Sequence, residues 1–206
     1  GAFGRAAADF TLTDPSAAVP SLAAALQFIR EAIARSSGED EALYVLRIKE
    51  RQTEEAITAC LGLELTATAQ PAGLAEPTGP FAAFAAPATM GAPIPGQTFE
   101  VRARLANRGR LAIAPAEITL QTRPGFTASA IGEAAIAPSV ASHTVLPRRF
   151  SVAVAADAPI STRPFFHRAG LQESRYTIED PGEFGRVASA APLMAEGGGS
   201  AVVNIT

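Results

Sequence analysis

The sequence predicts an α+β protein in which an N-terminal αα-hairpin precedes an antiparallel β-sandwich. Three observations lead to this fold class. Apolar residues recur at helical spacing near the N-terminus, residues 71–96 are rich in Pro and Gly, and short alternating segments follow from residue 97 onward. We therefore expect a helical hairpin with one strand at 1–70, a linker at 71–96 and a sandwich at 97–206.

The predicted hairpin consists of helices at 15–35 and 40–61. In both segments apolar residues return every three or four positions, as on the buried face of an amphipathic helix. The first helix ends at Ser36-Ser37-Gly38, whereas Asp40 can cap the second and Gly62 can provide its C-cap. A connection this short predicts two helices that pack against each other.

A polar run at 49–55 interrupts the apolar stripe of the second helix. Arg51 and Glu55 are four residues apart and can form an ion pair, whereas Glu50 and Glu54 repel each other at the same spacing. Two interpretations follow. The run is either a solvated helix centre or a polar contact with a neighbouring domain or subunit.

The clearest strand is FEVRARLANRGR, in which Phe99, Val101, Ala103 and Leu105 alternate with polar residues before the turn at 107–109. Short strands with turns and no intervening helix favour a sandwich of the immunoglobulin type. The disulfide and core Trp of antibody domains are absent, so only the architecture is implied. The predicted strands are 63–70, 98–106, 111–122, 126–131, 144–155 and 200–206.

Composition excludes several functional classes. The net charge is −3 with both signs interspersed, so the sequence predicts no nucleic-acid surface. No apolar run approaches the ~20 residues that span a bilayer, and we expect no membrane span. The single cysteine, Cys60, excludes an internal disulfide framework and lies in a helical pattern typical of a small buried side chain.

Catalytic and metal-binding patterns are also missing. His143 and His167 lie in separate segments without further ligand types at coordinating spacing, and no Gly-x-Ser-x-Gly motif occurs. Helix capping and surface charge explain the acidic clusters 39–41 and 54–55. The sequence does not exclude the paired carboxylates of a glycoside hydrolase. We therefore predict no catalytic residue, no metal site and no cofactor in this chain.

Residues 160–192 are predicted to form a long irregular excursion from the sandwich, and such loops are either functional or held by their own side chains. Aromatic rings beside guanidinium groups can stack on sugars and bind hydroxyls or carboxylates. Alternatively, Phe165 or Phe166 closes the sandwich edge, and Arg163 or Arg175 pairs with nearby acids, namely Glu173, Glu179 or Asp180. The candidate residues for a glycan or interdomain contact are Arg163, Phe165, Phe166, His167, Arg168, Arg175 and Tyr176.

The order of these segments resembles the region downstream of the zinc domain in large bacterial proteins of the PIG-L/LmbE family, which are N-acetylglucosaminyl deacetylases. The resemblance lies in IKERQTEEAITACLGLELTATAQPAG, EPTGPFAAFAAPATMG, GQTFEVRARLANRGR and the run from ADAPISTRPFFHR to RYTIEDPGEFGR. Residues 96–157 are also similar to the immunoglobulin-like modules that accompany α-galactosidases. There, as here, a strand ends in Asn-x-Gly (107–109), a Pro-Gly-aromatic turn follows (124–126), and a late strand ends in Asp-Ala-Pro (157–159).

The chain lacks the family's catalytic motifs, His-Pro-Asp-Asp and a later His-x-x-His, which hold zinc. The resemblance therefore implies a non-catalytic accessory region whose partner is an upstream catalytic domain of the same polypeptide, with zinc expected only in that domain. It further implies a bacterial protein, secreted or periplasmic, with carbohydrate as a candidate ligand. A purely structural or oligomerisation module is the alternative.

Overall fold

The computed structural model describes residues 1–36, 41–75, 78–81, 84, 88, 90–114, 118–132, 139–158, 166–178, 193–197 and 201–205. The helices are α1 (Ala2–Asp9), α2 (Val19–Arg35), preceded by a 3₁₀ turn at Pro15–Ala18, and α3 (Glu41–Leu61). The strands are β1 (Leu63–Pro71), β2 (Thr98–Asn107), β3 (Ile118–Thr122), β4 (Phe126–Ile131), β5 (Thr144–Val154), β6 (Phe166–His167), β7 (Thr177–Ile178), β8 (Leu193–Gly197) and β9 (Ala201–Ile205).

The predicted α+β class is confirmed at the level of an N-terminal helical region followed by an antiparallel sheet. The four-stranded sheet has the order β1-β2-β5-β4, the strands β3-β8-β9 form a second sheet, and β6 pairs with β7. Strand β1 precedes the predicted linker, yet it pairs along its whole length with β2, from Leu63 opposite Asn107 to Pro71 opposite Phe99. The predicted domain boundaries at residues 70 and 96 stay a prediction. The four-stranded sheet, however, includes β1 from before the predicted linker and β2 from after it.

Helix α2 buries the predicted stripe, with Leu22, Leu26 and Ile29 inside. Its N-terminal half packs with Ala6 of α1 against Ile57 and other residues near the end of α3. Helix α1 was not predicted; it has only eight residues, and helices this short depend on tertiary packing for their stability. Helix α3 ends at Leu61 and is followed by Gly62 in the left-handed region (φ 68°), as the sequence predicted.

The polar run on α3 binds α2. Arg30 donates to both glutamates that were expected to repel each other, through Nε to Glu50 Oε1 at 3.0 Å and Nη2 to Glu54 Oε1 at 2.6 Å. The predicted pair Arg51–Glu55 is present at 3.9 Å. The run is therefore a contact within the hairpin, and its exposed ion pairs orient the helices more than they stabilise them.

The buried face of the sheet is the one that strand alternation predicted. Phe99, Val101, Ala103 and Leu105 of β2 form its centre, where they are almost completely shielded from solvent. Ile118 of β3 packs in the same core, so the second sheet contributes to it. The remaining buried members are Leu63, Leu65, Val140, Phe150, Val152, Val154 and Ala158.

The outer face of the sheet is not uniformly solvated, contrary to the alternation of β2. Glu100 is only 6% exposed, because the chain after β1 folds back over it. Its carboxylate accepts hydrogen bonds from Arg149 Nη2 (2.8 Å), Gly73 N (3.2 Å) and Gln70 Nε2 (3.3 Å). The bond from Arg149 holds the pKa of this carboxyl below its ordinary value, against a desolvation that acts in the opposite direction.

The end of α3 meets the sheet at the turn after β2. Asn107 is buried, and its Nδ2 donates to Leu111 O (2.7 Å) and Val140 O (3.0 Å) while its Oδ1 accepts from Gly109 N (3.0 Å). Arg108 N donates to Gly62 O at 2.8 Å. A Cβ on Gly109 would overlap the Leu61 carbonyl oxygen. The turn therefore requires glycine at 109 for contact with the helix, and not for its own dihedral angles.

The other strand predictions are confirmed or refined. Strands β4, β5 and β9 lie where the sequence placed them, whereas the segment 111–122 is divided into a bridge from Ile113 to Val140 and the strand β3. Strand β8 was not predicted. It pairs antiparallel with β9. The predicted cap Asp40 and residues 37–38 of the predicted helix stop lie outside the described residues.

One described helical stretch, Pro15–Arg35, is long and apolar enough to cross a membrane by length and composition. Buried helices of soluble proteins and signal sequences near an N-terminus meet the same criterion. The expected absence of a membrane span therefore stays a prediction.

Replacing Gly109 by Ala is expected to destabilise the fold by about 1–3 kcal/mol, because the new methyl group would displace the end of α3. Chemical denaturation monitored by circular dichroism measures the change. Gly170→Ala is the matched control, since a Cβ there meets no atom within 4 Å. Equal stability of the two variants would contradict the proposed close approach.

Replacing Glu100 by Gln is expected to cost about 1–3 kcal/mol at neutral pH, since hydrogen bonds to a buried charge are lost. The folded-state pKa is lowered, so the stabilisation is present above the ordinary value of 4.5 and is lost as the pH falls through the folded-state pKa. The stability of the variant should thus vary less with pH below 4.5. Glu64→Gln, in an exposed pair with Arg108, is the control and should change stability little.

Candidate functional site

The predicted excursion contains a small hairpin. Strands β6 and β7 pair antiparallel, with Phe166 opposite Ile178 and His167 opposite Thr177. This register places the end of β6 beside Arg175 and Tyr176, which precede β7 in the chain. Five of the seven candidate residues are thereby brought to one hairpin, residues 166–178, whereas Arg163 and Phe165 lie outside the described residues.

Two aromatic side chains and one cation form the centre of this hairpin. The Phe166 and Tyr176 rings meet edge to face, with centroids 5.1 Å apart and an interplanar angle of 84°. The Arg168 guanidinium carbon lies 5.0 Å from the Tyr176 ring centroid. Edge-to-face pairs and cation–π contacts each contribute about 0.5–1.5 kcal/mol, which matters for a strand pair this short.

The connecting turn is held by Glu173. Its carboxylate accepts the Ala169 N–H at 2.6 Å, its carbonyl oxygen accepts from Arg168 Nη1 at 3.3 Å, and its own N–H donates to Gly170 O at 3.2 Å. From the sequence, Glu173 is expected only as an ion-pair partner for Arg163 or Arg175. Gly170 could have indicated the turn, because glycine is a preferred turn residue, but the bond from Ala169 has no sequence signal.

The hairpin presents an amphipathic surface to solvent. Tyr176 is 58% exposed and Phe166 39% exposed, and the side chains of His167, Arg168 and Arg175 are exposed as well. Residues 166–178 contain two guanidinium groups and one carboxylate. That carboxylate, of Glu173, accepts the hydrogen bond from Ala169 N–H. The surface therefore offers aromatic faces and positive hydrogen-bond donors together.

Chemistry of other kinds has little support in the described part of the chain. Within it, no group of three or more His, Cys, Asp or Glu side chains is placed to hold a metal ion. Cys60 is half-buried, and desolvation raises the pKa of its thiol, which disfavours the nucleophilic thiolate. His143 occupies the left-handed region (φ 58°) in the turn before β5, far along the chain from His167.

Comparison with protein-family models, with curated proteins and with solved structures finds no match to this chain. Membership of the PIG-L/LmbE family therefore stays a hypothesis.

Replacing Arg168 by Ala is expected to increase amide hydrogen exchange across 166–178, because the contact with Tyr176 and the bond to Glu173 are both lost. The thermal midpoint should stay close to that of the native chain, since β6 and β7 make extensive contacts only with each other among the described elements. Arg175→Ala is the matched control. Equal amide exchange across 166–178 in the native chain and in both variants would show that the contact of Arg168 with Tyr176 does not order the hairpin.

Proposed function

We propose that this chain is a non-catalytic accessory region that engages glycan through the hairpin 166–178. The observation that supports the proposal is the exposed contact of Tyr176 with both Phe166 and Arg168. Sugar rings present C–H groups on their faces and hydroxyls around their edges. An exposed aromatic face beside guanidinium donors can bind both at once.

The proposed scaffold is a β-sandwich of the immunoglobulin type. Two features support it: the four-stranded antiparallel sheet, and the burial of Ile118 from β3 in the core of that sheet. In sandwiches of this kind binding residues lie on segments that connect the strands. The hairpin 166–178 is such a segment, because it lies between β5 and β8 in the chain.

The proposed context is a bacterial, secreted or periplasmic deacetylase of the PIG-L/LmbE type. In that context zinc and the catalytic residues belong to an upstream domain, and this chain positions that domain on its glycan substrate. The proposal rests on the resemblance and on the lack of catalytic motifs in the sequence. A His-Pro-Asp-Asp motif encoded upstream of Gly1 in the same reading frame would support it.

Glycan binding is expected to fall about five- to tenfold in Tyr176→Ala, since stacking of one ring contributes on the order of 1–1.5 kcal/mol. A glycan array identifies the ligand, and titration calorimetry with that ligand measures the loss. Leu171→Ala is the matched control, because Leu171 is 88% exposed on the same turn and carries no ring.

Two results would contradict the proposal. One is the absence of binding to any glycan by the native chain, and the other is an equal loss of affinity in the Tyr176 and Leu171 variants. Tyr176→Phe separates the contribution of the ring from that of the hydroxyl group, because it retains the stacking face. Retained binding in Tyr176→Phe together with loss in Tyr176→Ala identifies stacking as the cause.

A structural module without a ligand is the second candidate. Large apolar side chains on the helices favour it, since Phe28 is 62% exposed and Tyr44 69% exposed. Such side chains are typical of surfaces that pack against another domain. Association of this chain with a separately produced upstream domain, abolished by Phe28→Ala or Tyr44→Ala while no glycan binds, would establish this function in place of the first.

A further inference from the structure

Strand β4 forms one edge of the four-stranded sheet. It pairs only with β5 among the described strands. Both edge strands contact the second sheet, β4 through β3, which precedes it across a short turn, and β1 through β9. Glycines at positive φ precede and follow β4, Gly125 at 89° and Gly132 at 88°, so the edge is a defined six-residue segment. An edge strand presents a row of backbone donors and acceptors to any chain that can adopt the extended conformation.

The hydrogen-bond pattern tells which backbone groups face outward. Ala155 N donates to Gly125 O at 2.9 Å, so the polar groups of residue 125 point toward β5. Because this direction alternates in an antiparallel ladder, Thr127, Ser129 and Ile131 also bond to β5. The N–H and C=O groups of Ala128 and Ala130 therefore point away from the sheet.

The side chains of β4 do not protect this edge. The segment FTASAI contains no charged residue and no proline, the two devices that most often prevent strand addition. Strand β1 carries both kinds, Glu64 and Pro71. Four consecutive small side chains, Thr127 to Ala130, also allow a second backbone to approach closely.

We propose that β4 pairs with β4 of a second copy of this chain. The pairing is antiparallel about a two-fold axis at Ser129, so that Ala128 of each copy lies opposite Ala130 of the other. Each of these two pairs exchanges both of its N–H···O=C bonds, which satisfies the outward-facing groups of Ala128 and Ala130 in both copies. The four-stranded sheets of the two copies then form one continuous sheet.

A second copy fits this edge better than an unrelated strand does. Under the two-fold axis residues 127–131 meet one another and Phe126 meets Gly132, all of them uncharged, so no like charges oppose each other. One contact also removes the exposed edges of both copies at once, and a closed pair leaves no further edge of this kind for growth into fibres.

The first test is Ala130→Pro. Proline removes an outward-facing N–H but leaves the bonds between β4 and β5 in place, because residue 130 does not donate to β5. Sedimentation equilibrium over a concentration series should show the native chain doubling its mass, and the variant should remain monomeric throughout. Ala130→Ser retains the N–H and should dimerise like the native chain, with the fold of each protein checked by circular dichroism.

The second test does not depend on tolerance of proline. Opposite Ser129 residues occupy a pair without mutual hydrogen bonds, whose Cα atoms lie about 4.5 Å apart, within the range of a disulfide. Ser129→Cys in a Cys60→Ser background should therefore form a covalent dimer on mild oxidation. Thr127→Cys in the same background is the control, because its copies lie roughly 13 Å apart in this register.

A native chain that is monomeric at every concentration would overturn the proposal. So would a dimer that persists in a folded Ala130→Pro variant, or cross-linking as efficient from residue 127 as from residue 129. Neither test involves the hairpin 166–178, so the outcome is independent of glycan binding.

Discussion

The helical region and the sheet meet where the C-terminal end of α3 contacts the turn after β2. Gly109 lies against the Leu61 carbonyl because it has no side chain, and this allows Arg108 N to reach Gly62 O. Asn107 closes the junction from the sheet side, where its side-chain amide bonds to three backbone groups, Leu111 O, Val140 O and Gly109 N. Backbone contacts therefore join the helical region to the sheet, and a side chain at position 109 would disrupt them.

Local patterns in the sequence predicted much of this fold. The alternation of β2, the apolar stripe of α2 and the C-cap Gly62 all depend on neighbouring residues and were confirmed. The burial of Glu100 could not be predicted in this way, because it arises where the chain after β1 folds back over the outer face and Gly73 binds the carboxylate. Alternation assigns a residue to a face of the sheet but does not tell what covers that face.

The same distinction applies to charges. Glu50 and Glu54 are adjacent on α3 and appear unfavourable in isolation, yet Arg30 of α2 neutralises the pair. At the hairpin, the closeness of aromatic residues and arginines in the sequence made Phe166, Arg168 and Tyr176 candidates, but their contacts depend on the register of β6 and β7. Partners that are distant in sequence therefore decide what each charged or aromatic residue does, and a single sequence contains little information about them.

The contacts that stabilise the fold and the surfaces that are open to partners lie on different segments. The former are the β2-centred core and the Asn107 junction, whereas the latter are the hairpin 166–178 and the outer edge of β4. Loops can vary without loss of stability when their side chains stabilise only themselves, as Glu173 and Arg168 do here. Under the proposed function, substitutions in the hairpin can therefore change glycan specificity without loss of the core or of the sheet.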